Sequence, residues 1–173
     1  MVAQSEEAET VNSGESTNDQ FDPKIVAFLC NWCTYAAADL AGSSRLQYPP
    51  NIRTVRIPCT GRLNPLLLIK TFEKGADGVL VSGCHPGDCH YIDGNFYARR
   101  RFTMLKEMLQ FIGVEEERLN FTWCSAAEGR RFADIVKRVV DRVKDAGPWS
   151  GFVDDGEITY SDRVGEIDYE QFL

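Results

Sequence analysis

Lys24-Ile25-Val26-Ala27-Phe28-Leu29-Cys30-Asn31-Trp32-Cys33 is the stretch whose reading decides the fold. A short apolar run of this kind reads as a buried strand, and two cysteines close it. Residues 34–45 follow with the good helix formers Ala36, Ala37, Ala38 and Leu40, so strand and helix make one βα unit. The rhythm then repeats. Tyr48-Pro49-Pro50-Asn51 breaks the helix, and 52–57 reads as a second strand, closed by Cys59. Asn64 is placed to cap a second helix with Pro65 in its first turn, running through Leu67, Leu68 and Phe72 to Gly75. A third strand, 78–82, is closed by Cys84. After it comes an amphipathic helix over 95–112, with Phe102, Leu105, Leu109 and Ile112 at helical spacing and Gly113 as its stop. Residues 119–123 read as a fourth strand. Ser125-Ala126-Ala127-Glu128 has the form of a capping box opening a last helix, with Phe132, Ile135, Val136, Val139, Val140 and Val143 inward and an end near Gly147-Pro148.

Four βα units in succession predict an α/β fold, a parallel sheet with helices on both faces. Right-handed crossovers leave few topologies, and the simplest is a single flavodoxin-like, doubly wound domain with four parallel strands in the order 2-1-3-4. The domain is expected over 23–148. Residues 1–22 are polar and acidic, a composition that supports no packed core, and are expected to form a disordered extension. Residues 149–173 read as a second acidic extension, and Tyr160, Tyr169 and Phe172 among its acids point to docking on a partner.

Charge follows the same division. The first 22 residues carry six acids and no base, and 151–173 carry seven acids against Arg163 alone. The whole chain stands at −7, yet 23–150 is left at +5, so acidity belongs to the tails. No basic-aromatic module accompanies that mild excess, and no nucleic-acid partner is expected. No stretch approaches the roughly 18 apolar residues of a membrane span, and no secretory signal is visible, so the expected address is the cytoplasm. Six cysteines in a reducing compartment read as ligands or redox thiols before they read as disulfides.

Five of those cysteines fall where the strands of such a sheet end, the rim on which open α/β sheets bind their ligands. Cys30 and Cys33 follow the first strand, Cys59 the second and Cys84 the third. Cys89 returns in the loop Gly83-Cys84-His85-Pro86-Gly87-Asp88-Cys89-His90, where Pro86 and Gly87 permit a tight reversal. Thiolates gathered from separate strands form a soft-ligand site suited to an iron–sulfur cluster or zinc. A dithiol oxidoreductase using Cys30 and Cys33 is a third reading, though it leaves three cysteines without a task. Zinc would accept four cysteines and make the chain a structural adaptor, although small zinc modules need their metal to fold and this domain has a core of its own. A cluster also takes four ligands, so one of five is spare. Cys33, Cys84 and Cys89 come first, and Cys30 and Cys59 compete for the fourth place. Cys124, beyond the fourth strand, reads as a buried thiol. His85 and His90 each follow a cysteine; they read either as donors to cluster sulfurs or contacts to a partner, or as surface histidines with no role. Arg99-Arg100-Arg101 beside the loop is either a solvated helix face or a docking patch for an acidic surface. Neither a phosphate-binding loop nor a dinucleotide-binding pattern is present.

Three blocks carry a family resemblance: Cys30-Asn31-Trp32-Cys33-Thr34-Tyr35, Pro58-Cys59-Thr60-Gly61-Arg62, and Gly83 through Tyr91 followed by Asp93-Gly94-Asn95. Together, over about 22–145, they resemble the small iron–sulfur delta subunit of the methyl-viologen-reducing hydrogenase of methanogenic archaea. The resemblance implies a 2Fe–2S cluster on the motif cysteines Cys30, Cys33, Cys59, Cys84 and Cys89. It also implies a role as electron conduit without catalysis of its own. The implied partners are a hydrogenase, or a formate dehydrogenase, on one side and the flavin-containing subunit of heterodisulfide reductase on the other. That larger enzyme bifurcates electrons between the coenzyme M–coenzyme B disulfide and ferredoxin. Cys124 lies outside the three blocks, and both acidic tails exceed the family's short members.

Overall fold

A computed structural model describes residues 21–152. Four strands, β1 (Ile25–Cys30), β2 (Ile52–Ile57), β3 (Gly78–Gly83) and β4 (Leu119–Trp123), alternate with four helices, α1 (Thr34–Ser43), α2 (Pro65–Glu73), α3 (Gly94–Phe111) and α4 (Gly129–Ala146). All pairings are parallel and the strand order is β2-β1-β3-β4, the order expected from the sequence. β1 is central because it is apolar throughout: Ile25, Ala27, Phe28, Leu29 and Cys30 are all buried.

Alternation along β1 divides the core in two. Ile25, Ala27 and Leu29 face α1 and α4, where Ala37 and Ala41 meet Phe132, Ile135, Val136, Val139, Val140 and Val143. Phe28, with Val79 and Val81 of β3, faces α2 and α3 through Leu68, Phe72, Leu105 and Leu109. Trp149 and Phe152 pack against this second layer from beyond α4.

Helix ends follow the sequence in most places. Asn64 Oδ1 accepts from the N–H of Leu66 at 3.0 Å, with Pro65 at the first position of α2. Gly75 and Gly113 adopt φ of 84° and 96° where α2 and α3 stop, a conformation glycine takes without steric cost. The last helix departs from expectation. α4 begins at Gly129, and Ser125 supplies no side-chain cap; only the glutamate half of the capping box forms, Glu128 Oε2 accepting from the N–H of Ser125 at 2.7 Å. The same carboxylate oxygen takes the His85 Nε2 at 2.7 Å, which holds Glu128 turned toward the rim. Ile112, expected on the apolar face of α3, is 46% exposed because the helix has already ended at Phe111.

Register places the functional rim. Cys30 pairs opposite Ile57 and Gly83 opposite Trp123, so Cys30, Cys59, Cys84 and Cys124 all stand at the carboxyl edge of the sheet.

Candidate metal centre

Each strand hands over one thiol, and the loops bring the others. Cys30 is the last residue of β1, Cys33 caps α1, Cys84 directly follows β3 and Cys59 follows β2 before a short 3₁₀ turn, Thr60–Arg62. Cys89 comes back on the β3–α3 loop, where Gly87 takes φ of 92° and Cys89 bridges Ile92. All six cysteines are free and buried.

The five rim thiols form two groups. The sulfurs of Cys30, Cys33 and Cys84 lie within 4.8 Å of one another, with 3.8 Å between Cys30 and Cys84. Cys59 and Cys89 form a pair at 3.9 Å. Two sulfurs bound to one tetrahedral metal at about 2.3 Å stand about 3.8 Å apart, so both close pairs have the span of ligands to a single metal. Among the described residues no fourth metal-binding group joins the trio within 4.8 Å, so four sulfurs do not converge on one point. A donor set of sulfurs alone, split two and three, fits a binuclear thiolate-bound group better than one four-coordinate ion.

Backbone N–H groups surround these sulfurs. That of Gly61 reaches Cys59 Sγ at 3.4 Å, while those of Trp32 and Cys33 favour the Cys30 thiolate and that of His90 the Cys84 thiolate. A hydrogen bond from the Cys33 thiol, against the cost of burial and with help from those N–H groups, brings the Cys30 thiol down to about 6. Cys33 is correspondingly held well above the usual thiol range by Cys30 and by burial. Burial pushes Cys59 up to about 11 and also raises Cys84. Cys30 therefore ionises first, while Cys33, Cys59 and Cys84 keep their protons until a cation arrives to stabilise their thiolates.

Packing brings the groups together where sequence spacing gave no signal. Gly94, the first residue of α3, lies against the Cys59–Cys89 pair: a Cβ there would stand 2.6 Å from Cys59 Sγ and 3.3 Å from Cys89 Sγ. Asn95, almost fully buried, donates to the carbonyls of Cys84 (3.2 Å) and His85 (2.7 Å), fastening the loop that carries two thiols to the start of α3. Under the trio a row of hydroxyls, Thr34, Ser82 and Thr122, is linked at 3.0 Å in each step. Sequence reading missed Gly94, Asn95 and these hydroxyls as site residues; Thr34 stood in the first motif block and Gly94 and Asn95 in the third, which was the available signal.

The other expected residues separate by position. His85 binds Glu128. His90 stacks on Trp32 with centroids 3.6 Å apart, and Tyr91 meets both rings edge-on. A cleft of about 230 Å³ lined by Trp32, Cys33, Cys84, His85, Asp88, His90, Ser125 and Ala126 opens on the trio side. Cys124 is fully buried under the rim, donates toward the carbonyls of Ser125 and Glu128, and is pushed up to about 11 by burial. Of the arginine run, Arg101 Nη1 is spent on the Gly61 carbonyl at 2.8 Å, which ties α3 to the turn after Cys59.

The chain has relatives among known proteins. The family model described as methyl-viologen-reducing hydrogenase, delta subunit, matches residues 25–147. The chain is 46% identical over 150 residues to the iron–sulfur subunit of the F420-non-reducing hydrogenase vhc of Methanococcus voltae, covering 87% of this chain and 98% of that protein. It is also 46% identical over 132 residues to the iron–sulfur subunit of the F420-non-reducing hydrogenase of Archaeoglobus profundus, covering 76% and 96%. A third relative is larger, one of the subunits of the ferredoxin/F420H2-dependent CoB–CoM heterodisulfide reductase of Methanosarcina acetivorans. Identity to it is 51% over 126 residues, 73% of this chain, and the match takes up 16% of the larger protein.

Proposed function

Because the chain belongs to the family of the delta subunit of methyl-viologen-reducing hydrogenase, we propose that it is an electron-transfer subunit carrying a 2Fe–2S cluster on its rim thiols. The observation that supports the cluster most directly is the spacing of the sulfurs. A 2Fe–2S group takes two thiolates on each iron, and two sulfur pairs at 3.8 and 3.9 Å offer that arrangement. Cys59 and Cys89 would hold one iron, and two of Cys30, Cys33 and Cys84 the other. The group, when bound, supplies a one-electron couple; the chain supplies its environment. N–H donors from Trp32, Cys33, Gly61 and His90 spread the thiolate charge, and burial keeps water from most of the site, the two levers that set such potentials.

The names of the relatives support hydrogenase and heterodisulfide reductase subunits as partners. One group is named as hydrogenase iron–sulfur subunits. Another is named as heterodisulfide reductase subunits, in which a segment like this chain is part of a longer polypeptide. A domain fused to that reductase polypeptide in one lineage and separate in another supports the reductase as the electron acceptor. We therefore place the chain between an electron-supplying hydrogenase, or formate dehydrogenase, and the flavin-containing subunit of a bifurcating heterodisulfide reductase. Six free thiols suit a reducing compartment, the cytoplasm. Among the described residues no helix is long and apolar enough to cross a membrane.

Iron, zinc and acid-labile sulfide measured on anaerobically purified protein test the cluster. About two irons and two sulfides per chain with a visible spectrum that bleaches on reduction are expected. About one zinc without sulfide would make the chain a structural adaptor and end the electron-carrier reading. Cys89→Ser is expected to stop electron flow between the partner enzymes while each keeps its activity with artificial dyes.

A further inference from the structure

The cluster reading leaves one thiol over, and the inference here rests on that reading. Five sulfurs serve a group that takes four, and they are unequally divided. Cys59 and Cys89 lie 3.9 Å apart, and among the described residues no third metal-binding side chain stands within 4.8 Å of both. On the other side three sulfurs compete for two places. Cys30 and Cys84 are 3.8 Å apart, the span of two ligands on one metal. Cys33 stands within 4.8 Å of both and has the Thr34 hydroxyl at 3.7 Å. Cys30 and Cys33 flank one turn between β1 and α1, and Cys84 comes from the loop after β3; each sulfur swings on its own side-chain torsion.

We propose that Cys30 and Cys84 are the resident ligands of one iron and that Cys33 is a reserve ligand to the same iron, able to replace either. The Cys33 sulfur already lies within 4.8 Å of both, so its approach is within reach of a side-chain torsion while the backbone stays in place. The exchange moves no net electrons. The Cys33 sulfur forms its bond to iron and releases a proton, and the departing sulfur breaks its bond and takes one up. Loss of one trio thiol, by oxidation or substitution, then leaves four sulfur ligands in the site. Loss of Cys59 or Cys89 does not.

Single Cys→Ala variants at 30, 33, 59 and 84, and the double variant Cys30→Ala/Cys33→Ala, test this in the full chain, purified anaerobically with its cluster. Iron and sulfide content and the EPR spectrum of the reduced protein are read beside far-UV circular dichroism. Cys33→Ala is expected to keep the wild-type content and g-values. Cys30→Ala and Cys84→Ala are expected to keep the content with shifted g-values, while Cys59→Ala and the double variant lose it. Cluster loss in Cys33→Ala, or loss in Cys30→Ala and Cys84→Ala equal to that in Cys59→Ala, would overturn the reserve role. Should Cys30→Ala fail to fold, Cys84→Ala decides, because its side chain lies outside the strand. A wild-type chain without two irons and two sulfides fails the cluster reading itself, and the reserve ligand with it; a cluster present in wild type and lost in Cys33→Ala fails the reserve ligand alone.

Discussion

At Gly94 the absence of one carbon sets the width of the site. A Cβ would press on Cys59 Sγ at 2.6 Å, and one on Gly61 would meet the Gly94 carbonyl oxygen at 2.7 Å, so the turn after β2 and the first turn of α3 touch backbone to backbone. Neither glycine has a positive φ; close approach is what requires them. Gly94→Ala is expected to spread the Cys59–Cys89 pair and lower iron affinity on the order of tenfold, the scale typical of losing support around a metal ligand. Competition with a chelator measures it, and unchanged affinity would show that the pair tolerates a wider gap. Both glycines were visible in the sequence within the second and third motif blocks. Their reason was not, because the contact joins residues that only folding brings together.

At the scale of elements, the start of α4 shows how a local signal is redirected. Ser125-Ala126-Ala127-Glu128 satisfies the capping-box pattern, but Glu128 faces the Ser125 N–H and His85 together, and the helix opens at Gly129. The N–H of Ser125, then His85, holds the Glu128 carboxyl down at about 2 against an ordinary 4.5. A depressed folded-state value means that the folded protein prefers the ionised form. Its contribution to stability is therefore fully present above the unfolded value and is lost as pH falls through the folded one. The stability gap between wild type and Glu128→Gln, followed by urea denaturation of metal-free protein, is expected to shrink as pH falls from about 5 toward about 2. A gap that stays constant over that window would mean the carboxylate charge does no stabilising there.

For the molecule as a whole, Arg118 is the joint between the last strand and the chain leaving α4. It is 1% exposed, takes both Glu115 oxygens at 2.7 and 3.2 Å, and donates to the carbonyls of Asp77, Ala146 and Gly147 at 3.0–3.1 Å. Its charge sits at the carboxyl end of α4, where the helix dipole favours a cation. The guanidinium also lies 5.3 Å from the Trp149 ring, which brings the segment after α4 against α2. Arg118→Ala strands several buried carbonyls and is expected to cost roughly 2–4 kcal/mol, read as a lower urea midpoint. A loss below about 0.5 kcal/mol would mean that water replaces the arginine at these carbonyls.

By itself the sequence determined the architecture and the candidate ligands. Short apolar runs, helix propensity, Asn64-Pro65 and the glycine stops dictate four βα units, because those signals are local and each is confined to a few residues. Crossover handedness then leaves the β2-β1-β3-β4 order, and strand ends carry the cysteines to one rim. Tertiary structure decided how those thiols divide. Cys30 and Cys84 are 54 residues apart and Cys59 and Cys89 are 30 apart, yet each pair closes to within 4 Å. Spacing along the chain could not sort the five; the sequence reading put Cys33, Cys84 and Cys89 first, whereas in space Cys89 stands with Cys59 and Cys30 stands with the other two. That sorting depends on backbone contact at Gly61 and Gly94, on the Asn95 clamp and on loop return, interactions between distant segments for which a linear sequence carries no period.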